Sequence, residues 1–252
     1  MTANGQGGRP LRLIHGWGLS RTVWAALGGP LSARCRWSTL DLPGYGETPD
    51  DGQGFQHTAQ TLAEALPPGS VLAGWSLGAL LAMQVALLAP KRLDGLILIA
   101  ATPCFTQRAD WLDGQPAALL EGFAERLRAD PTAALSRFIA LFNQGDLHAR
   151  MISRQLSSLI RPLPTQASLQ RGLQWLREVD LRQQLAAIDL PTLLLHGADD
   201  PLNPLSAARY LADHLPQARL EVVAGAAHAP FCSQPARCGQ LIVDFCEHPA
   251  QH

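Results

Sequence analysis

Gly74-Trp75-Ser76-Leu77-Gly78 stands between the apolar residues 70–73 and an apolar, glycine-poor run over 79–89. This order predicts strand, sharp turn, helix. In so tight a turn Ser76 sits in strained backbone with its hydroxyl lifted clear of the sheet, and the small Gly74 and Gly78 let strand and helix pass closely. The pattern alone does not decide: with Gly and Ser each at roughly 7% of residues, a chain of this length carries G-x-S-x-G by chance about one time in ten. Helix capping or packing would account for the serine by itself, so the surrounding chain must be read with it.

Working outward, strands and helices alternate on both sides. Upstream, residues 9–14 end in the short apolar strand Leu11-Arg12-Leu13-Ile14, which runs into the glycine-bracketed loop His15-Gly16-Trp17-Gly18 and a helical stretch from Ser20 and Arg21 through Val23, Trp24 and Leu27. Residues 36–40 read as a strand ended by the turn Asp41-Leu42-Pro43-Gly44-Tyr45-Gly46, and a helix over 56–66 stops at Pro67-Pro68. Downstream, 93–100 is the nearly continuous apolar run expected of a strand covered on both faces in a parallel sheet. The alternation means an α/β fold.

That rhythm breaks between 102 and about 180, where the pattern reads as helical only. Asp130 and Pro131 are the N-cap and first-turn residues of a helix carrying Leu135, Phe138, Ile139 and Phe142 at i, i+3, i+4 and i+7 and ended near Gly145. A second helix, 147–160, stops before Pro162. An insertion of this kind after a sheet strand is expected to form a lid over the sheet's carboxyl edge, dividing the chain into a core (1–102 and 180–252) and a helical lid (103–179). Alternation resumes with strand 192–196, loop 197–204, helix 205–215, strand 219–223, loop 224–230 and helix 235–247.

Composition narrows the function classes. The 252 residues, 47% of them hydrophobic, suffice for one large domain with an inserted lobe. The opening residues lack the basic start and apolar segment of a secretory signal, and nowhere do 18 uncharged apolar residues run together, so a soluble cytoplasmic protein is expected, with no membrane partner, acting as a monomer. A formal net charge of −1 and the lack of any RNA or DNA motif argue against nucleic acid. The five cysteines are odd in number, show no C-x-x-C spacing and sit in apolar neighbourhoods, which predicts free, mostly buried thiols rather than disulfides or zinc. There is no H-E-x-x-H or clustered ligand set, so no metal and no cofactor are implied.

The candidate chemistry falls at the carboxyl ends of the strands, where open parallel sheets bind ligands. A serine hydroxyl is a poor nucleophile unless a base takes its proton, and a neutral imidazole held by a carboxylate suits that task. His228 lies in the loop after the last strand, and Asp199 and Asp200 in the loop after the strand before it. The order Ser76, Asp200, His228 is that of α/β-hydrolases. Asp200 is preferred to Asp199 because it stands three residues after Gly197 and four before Pro204, the spacing seen in that superfamily. The backbone N–H groups of Leu77, after the nucleophile, and Trp17, in the glycine loop, would receive a tetrahedral oxyanion, each worth roughly 3 kcal/mol of barrier. The Trp17 indole would wall the pocket. Trp75, Phe138 and Phe142 are candidates to line it, lid packing being the competing reading for the two phenylalanines, and His15 reads as a structural loop residue.

Together, Leu13-Ile14-His15-Gly16-Trp17-Gly18, the Asp41 to Gly46 turn, the Ser76 elbow, Thr102-Pro103-Cys104-Phe105, Val179-Asp180-Leu181-Arg182 and Ala227-His228-Ala229-Pro230-Phe231 resemble the BioH family, the pimeloyl-[acyl-carrier protein] methyl ester esterases of biotin synthesis. The resemblance spans nearly the whole chain. It implies an α/β-hydrolase fold and a serine carboxylesterase that removes the methyl ester from a pimeloyl chain held on acyl-carrier protein, its partner and substrate. A broad short-chain carboxylesterase and a non-catalytic ligand receptor on the same fold are the alternatives. The chain departs from the family pattern at Ala79, where another glycine is usual, and in its short stretch before the first clear strand.

The expected lid is also basic. Between 131 and 177 stand Arg137, Arg150, Arg154, Arg161, Arg171 and Arg177 against the single acid Asp146. Arg150 and Arg154 at i and i+4, with Arg161 at i+11, would share a helix face opposite Ile152, Leu156 and Leu159. That face, with Arg137, is the candidate surface for docking an acidic carrier protein.

Overall fold

Seven strands form one sheet among the described residues, 2–3, 8–32 and 34–249, of a computed structural model. They are β1 (Thr2–Ala3), β2 (Pro10–Ile14), β3 (Arg36–Leu40), β4 (Ser70–Trp75), β5 (Leu93–Ile99), β6 (Thr192–Gly197) and β7 (Ala218–Val223), in the spatial order β1-β3-β2-β4-β5-β6-β7. Strands β2 to β7 are parallel. The short opening stretch contributes the two-residue β1, which pairs antiparallel with β3 and sets Thr2 opposite Ser38.

The helices are α1 (Gly28–Ser32), α2 (Phe55–Ala65), α3 (Leu77–Leu88), α4 (Ala117–Ala129), α5 (Pro131–Phe142), α6 (Ala149–Ser158), α7 (Gln166–Glu178), α8 (Leu205–His214), α9 (Pro230–Ser233) and α10 (Pro235–Glu247). A 3-10 stretch, Arg21–Leu27, replaces the first expected helix and leads into α1. Every residue of β4 is buried, and so are the first ten of α3. An apolar helix of that kind belongs in the middle of a fold. The burial is worth about 1.5–3 kcal/mol for each large apolar side chain. The five cysteines are free and buried.

Strand order reverses between β2 and β4, the switch point at which open α/β sheets form a crevice. Register pairs Ile14 with Gly74, Trp75 with Ile99, Ile99 with Leu195 and Gly197 with Val223. The carboxyl ends of five strands are therefore level, and the loops carrying Trp17, Ser76, Asp200 and His228 leave the sheet along one edge.

Two expectations for the segment between β5 and β6 need correction. Residues 103–116 are not helical: Pro103, Gly114 and Pro116 break them into a loop held by bridges between Cys104 and Asp180, Thr106 and Gln115, and Arg108 and Trp111. Arg182 clamps this loop, reaching Asp180 at 2.7 Å and Asp110 at 3.1 Å, with its guanidinium carbon 5.4 Å from the centre of the Trp111 ring. The helical part holds four helices, α4 and α7 standing beside the two delineated from the sequence. Helix α5 starts as read, the Asp130 carboxylate accepting the Ala133 N–H at 3.0 Å. Helix α6 ends at Ser158, so Arg161 lies beyond it and only Arg150 and Arg154 keep helical spacing.

Candidate active site

At the elbow, Ser76 has φ 55° and ψ −116°, a conformation that costs a non-glycine residue about 1–3 kcal/mol. Backbone hydrogen bonds hold it there: its N–H donates to Ile99 O at 3.0 Å, and its carbonyl accepts the Ala79 N–H at 2.9 Å. A Cβ on Gly74 would lie 2.2 Å from Gly78 O, and one on Gly78 would lie 2.5 Å from Ile14 O. Any side chain at either position would force strand and helix apart. Ala79 is accommodated, fully buried in the first turn of α3. The loop after β2 presses against the same corner, since a Cβ on Gly16 would come 3.0 Å from the Trp75 ring and 3.3 Å from Ser76 Cβ.

Beside the elbow, His228 Nδ1 and Asp200 Oδ2 are 2.8 Å apart, both residues buried. The other Asp200 oxygen accepts the N–H groups of Leu202 and Asn203 at 2.9 and 3.0 Å. An ionised carboxylate with this donor set draws the imidazole proton to Nδ1 and leaves Nε2 as the acceptor. Nε2 is buried with no hydrogen-bond partner among the described residues, the Ser76 hydroxyl included. Asp199 is exposed. The structure thus joins His228 to Asp200 and leaves the serine unlinked to the pair, as is common before substrate closes such a site.

Sequence reading missed the buried support behind Asp200. His196 Nε2 lies 2.7 Å from Asn203 O and 3.7 Å from Asp200 Oδ2, and burial lowers its pKa, which keeps the ring neutral. Asn203 Nδ2 donates to Ala100 O at 2.7 Å, holding Ala100 at φ 46°. Both are polar residues at a sheet end, a signal too common to single them out.

The Trp17 and Leu77 N–H groups have no backbone acceptor among the described residues. Leu77 opens α3, where the helix dipole favours negative charge. The Trp17 loop is fixed by His15, whose Nδ1 lies 2.8 Å from Gly16 O and whose Nε2 accepts the Leu42 N–H at 3.0 Å. Burial pushes the His15 pKa down to about 4, so it is a neutral strut.

Trp17 donates its indole N–H to Leu169 O at 2.8 Å and meets Phe138 edge-on at 4.8 Å. Phe138 meets Phe142 at 5.2 Å, and Phe142 meets His228 at 5.4 Å. These rings form a continuous wall from the Trp17 loop to the histidine. Trp75 stands behind His228, its indole N–H on His228 O at 2.7 Å, and so serves the histidine's loop. No group of His, Cys, Asp and Glu among the described residues could hold a metal ion. The arrangement offers a strained serine, a buried imidazole with a free acceptor nitrogen and two unpaired N–H groups, the parts that acyl transfer needs.

The sequence profile of the alpha/beta hydrolase fold matches residues 9–235, and the chain is a member of that class. Its backbone superposes on an esterase from Exiguobacterium antarcticum with a TM-score of 0.89 at 23% identity, covering 98% of this chain and 93% of the other, a likeness of fold. A pimeloyl-[acyl-carrier protein] methyl ester esterase of Aromatoleum aromaticum is 41% identical over 241 residues, 93% of this chain and 96% of the relative. The enzyme of that name from Edwardsiella ictaluri is 41% identical over 247 residues, 96% and 95% of the two chains. With such identity over nearly the full length, the chain belongs to the family of pimeloyl-[acyl-carrier protein] methyl ester esterases.

Proposed function

We propose that this protein hydrolyses the methyl ester of pimeloyl-[acyl-carrier protein] in the cytoplasm, giving the carrier-bound acid and methanol for biotin synthesis. The reading is carried by the identity, over nearly the whole chain, with relatives that bear that name. The site supplies a chemistry that fits it. Ser76 Oγ attacks the ester carbonyl while His228 Nε2 takes its proton, and the Trp17 and Leu77 N–H groups receive the oxyanion. The intermediate collapses, methanol leaves with the proton from His228, and the acyl group stays on Ser76. Water, deprotonated by the same imidazole, then releases the carboxylic acid. Asp200 holds the imidazole in the productive tautomer throughout.

Helices α4 to α7 act in this scheme as a lid, and the wall of Trp17, Phe138 and Phe142 shields the apolar acyl chain from water. Exposed Arg137, Arg150, Arg154 and Arg161 receive the acidic carrier protein. No helix among the described residues is long and apolar enough to cross a membrane.

Ser76→Ala tests the chemistry. It should remove nearly all ester hydrolysis, leaving only the small contribution of the oxyanion donors, with an unchanged folding signal. A variant retaining most of its kcat on a simple ester would assign the nucleophile elsewhere. The substrate is tested by whether the gene restores biotin-independent growth to a strain lacking its own esterase; no growth from a soluble, esterase-active protein would return the reading to a broad carboxylesterase.

A further inference from the structure

We propose that Asp146, the one acid of residues 131–177, is a positioning residue for His228, so that the helical lid itself holds the catalytic base in place. The inference rests on the reading of His228 as that base.

Asp146 lies in the corner between α5 and α6 and is 7% exposed, with no ion-pair partner among the described residues. Its carboxylate is instead enclosed by donors. Oδ2 accepts the Ala227 N–H at 2.9 Å, while Oδ1 accepts the His148 N–H at 2.7 Å and the Ser233 hydroxyl at 3.0 Å. A carboxylate without a cation is expensive to bury, so its placement calls for a specific role. Ala227 directly precedes His228, and Ser233 ends α9, which follows it.

The same corner grips this loop twice more. The His228 N–H donates to Phe142 O at 3.2 Å, and the Leu147 N–H donates to Gly225 O at 3.0 Å. With Trp75 on His228 O, both polar groups of the His228 main chain are held by other segments. Gly225, Ala227 and His228 are therefore moored to residues 142–147 much as a strand is paired to its neighbour. The imidazole can keep its 2.8 Å contact with Asp200 only while that mooring is intact.

Asparagine at 146 keeps the shape but turns an NH2 group toward one of the N–H donors. Asp146→Asn is compared with wild type on a small activated ester, with active sites counted by a serine-directed phosphonate. The expected result is a fall in kcat per titrated site of about tenfold or more with KM changed less than about threefold, because alignment of the base is lost and binding is not. In an Asp200→Asn background the same change should cost less than about twofold, since there is no longer an alignment to lose. Asp130→Ala, which removes the α5 N-cap, is the control for general lid weakening: it lowers Tm and keeps kcat within about twofold. If the asparagine variant does not yield folded protein, Asp146→Ser takes its place with the same expectations. Wild-type kcat per site in the Asp146 variant, or an equal loss with and without Asp200, overturns the proposal. His228→Ala separates the two levels: an active His228→Ala enzyme sinks the reading of the site, whereas an inactive one beside an unimpaired Asp146→Asn sinks only this inference.

Discussion

Asp199 and Asp200 are adjacent and chemically alike, yet their surroundings give them different capacities. Asp200 is buried against His228 Nδ1 and two backbone N–H groups, while Asp199 is exposed and its N–H donates to Ala226 O at 3.0 Å. Asparagine at 200 would turn an NH2 toward Nδ1, move the imidazole proton to Nε2 and remove the acceptor the serine needs. Asp200→Asn is therefore expected to lower kcat about 10³- to 10⁴-fold, and Asp199→Asn to leave it within about twofold. Measuring both on one activated ester checks this, and a greater loss at 199 would move the role there. The neighbouring histidines divide in a similar way. His15 and His196 are buried with pKa values lowered by desolvation, and each is tied to the backbone as a strut.

Among the elements, α7 shows why a helix gives up propensity for contact. Gly172 sits in its interior, where alanine would stabilise an exposed helix by about 0.8–1 kcal/mol. Here a Cβ would lie 2.5 Å from Trp17 Cδ1 and 3.0 Å from Trp17 Nε1. Gly172→Ala should displace the indole from Leu169 O and carry the Trp17 N–H with it, lowering kcat/KM about tenfold or more on a small ester. An alanine variant with raised Tm and unchanged kinetics would show that the Trp17 loop tolerates the shift. This contact also marks where the sequence stops being legible. The elbow, the Asp130-Pro131 start of α5 and the strands β2 to β7 are local signals of apolar period and turn residue and could be read directly, whereas the candidate order Ser76, Asp200, His228 rests on the placement of loops after those strands. The α7 start at Thr165 carries a comparable cap, its hydroxyl accepting the Ser168 N–H at 3.1 Å, but Ser168 and Gly172 fill buried positions of that helix and leave its apolar stripe incomplete. Asp146 offered no such signal, since its partners Ala227 and Ser233 are more than 80 residues away in the chain.

At the scale of the whole molecule, the net charge of −1 conceals a basic segment, residues 131–177, with six arginines and one acid. Arg171 pairs with Asp50, and Arg177 lies 3.3 Å from Glu178, so neither is a free cation. Arg137, Arg150 and Arg154 are exposed and form no salt bridge among the described residues. Near Arg150 and Arg154 in the chain, Leu147 and Met151 are 77% and 56% exposed, while Ile152 and Leu156 are buried. A surface joining free guanidinium groups to apolar side chains suits a partner that is acidic and partly apolar. Arginine forks bind carboxylates or phosphate in bidentate fashion, and a patch of this kind steers an acidic protein by long-range attraction that salt screens. A small ester has no charge for the patch to act on. Charge reversal of Arg150 and Arg154 to glutamate should therefore lower kcat/KM for the carrier-bound methyl ester about tenfold or more at low ionic strength, and change it less than about twofold for the small ester. The gap between the two substrates should narrow as ionic strength rises toward 1 M, where the screening length falls to about 3 Å. Arg161→Glu, beyond the end of α6, should show a smaller part of the same pattern. Equal losses on both substrates would mean that the reversals disturb the packing of α6, and no loss on either would remove these arginines from docking and leave recognition of the carrier to another surface.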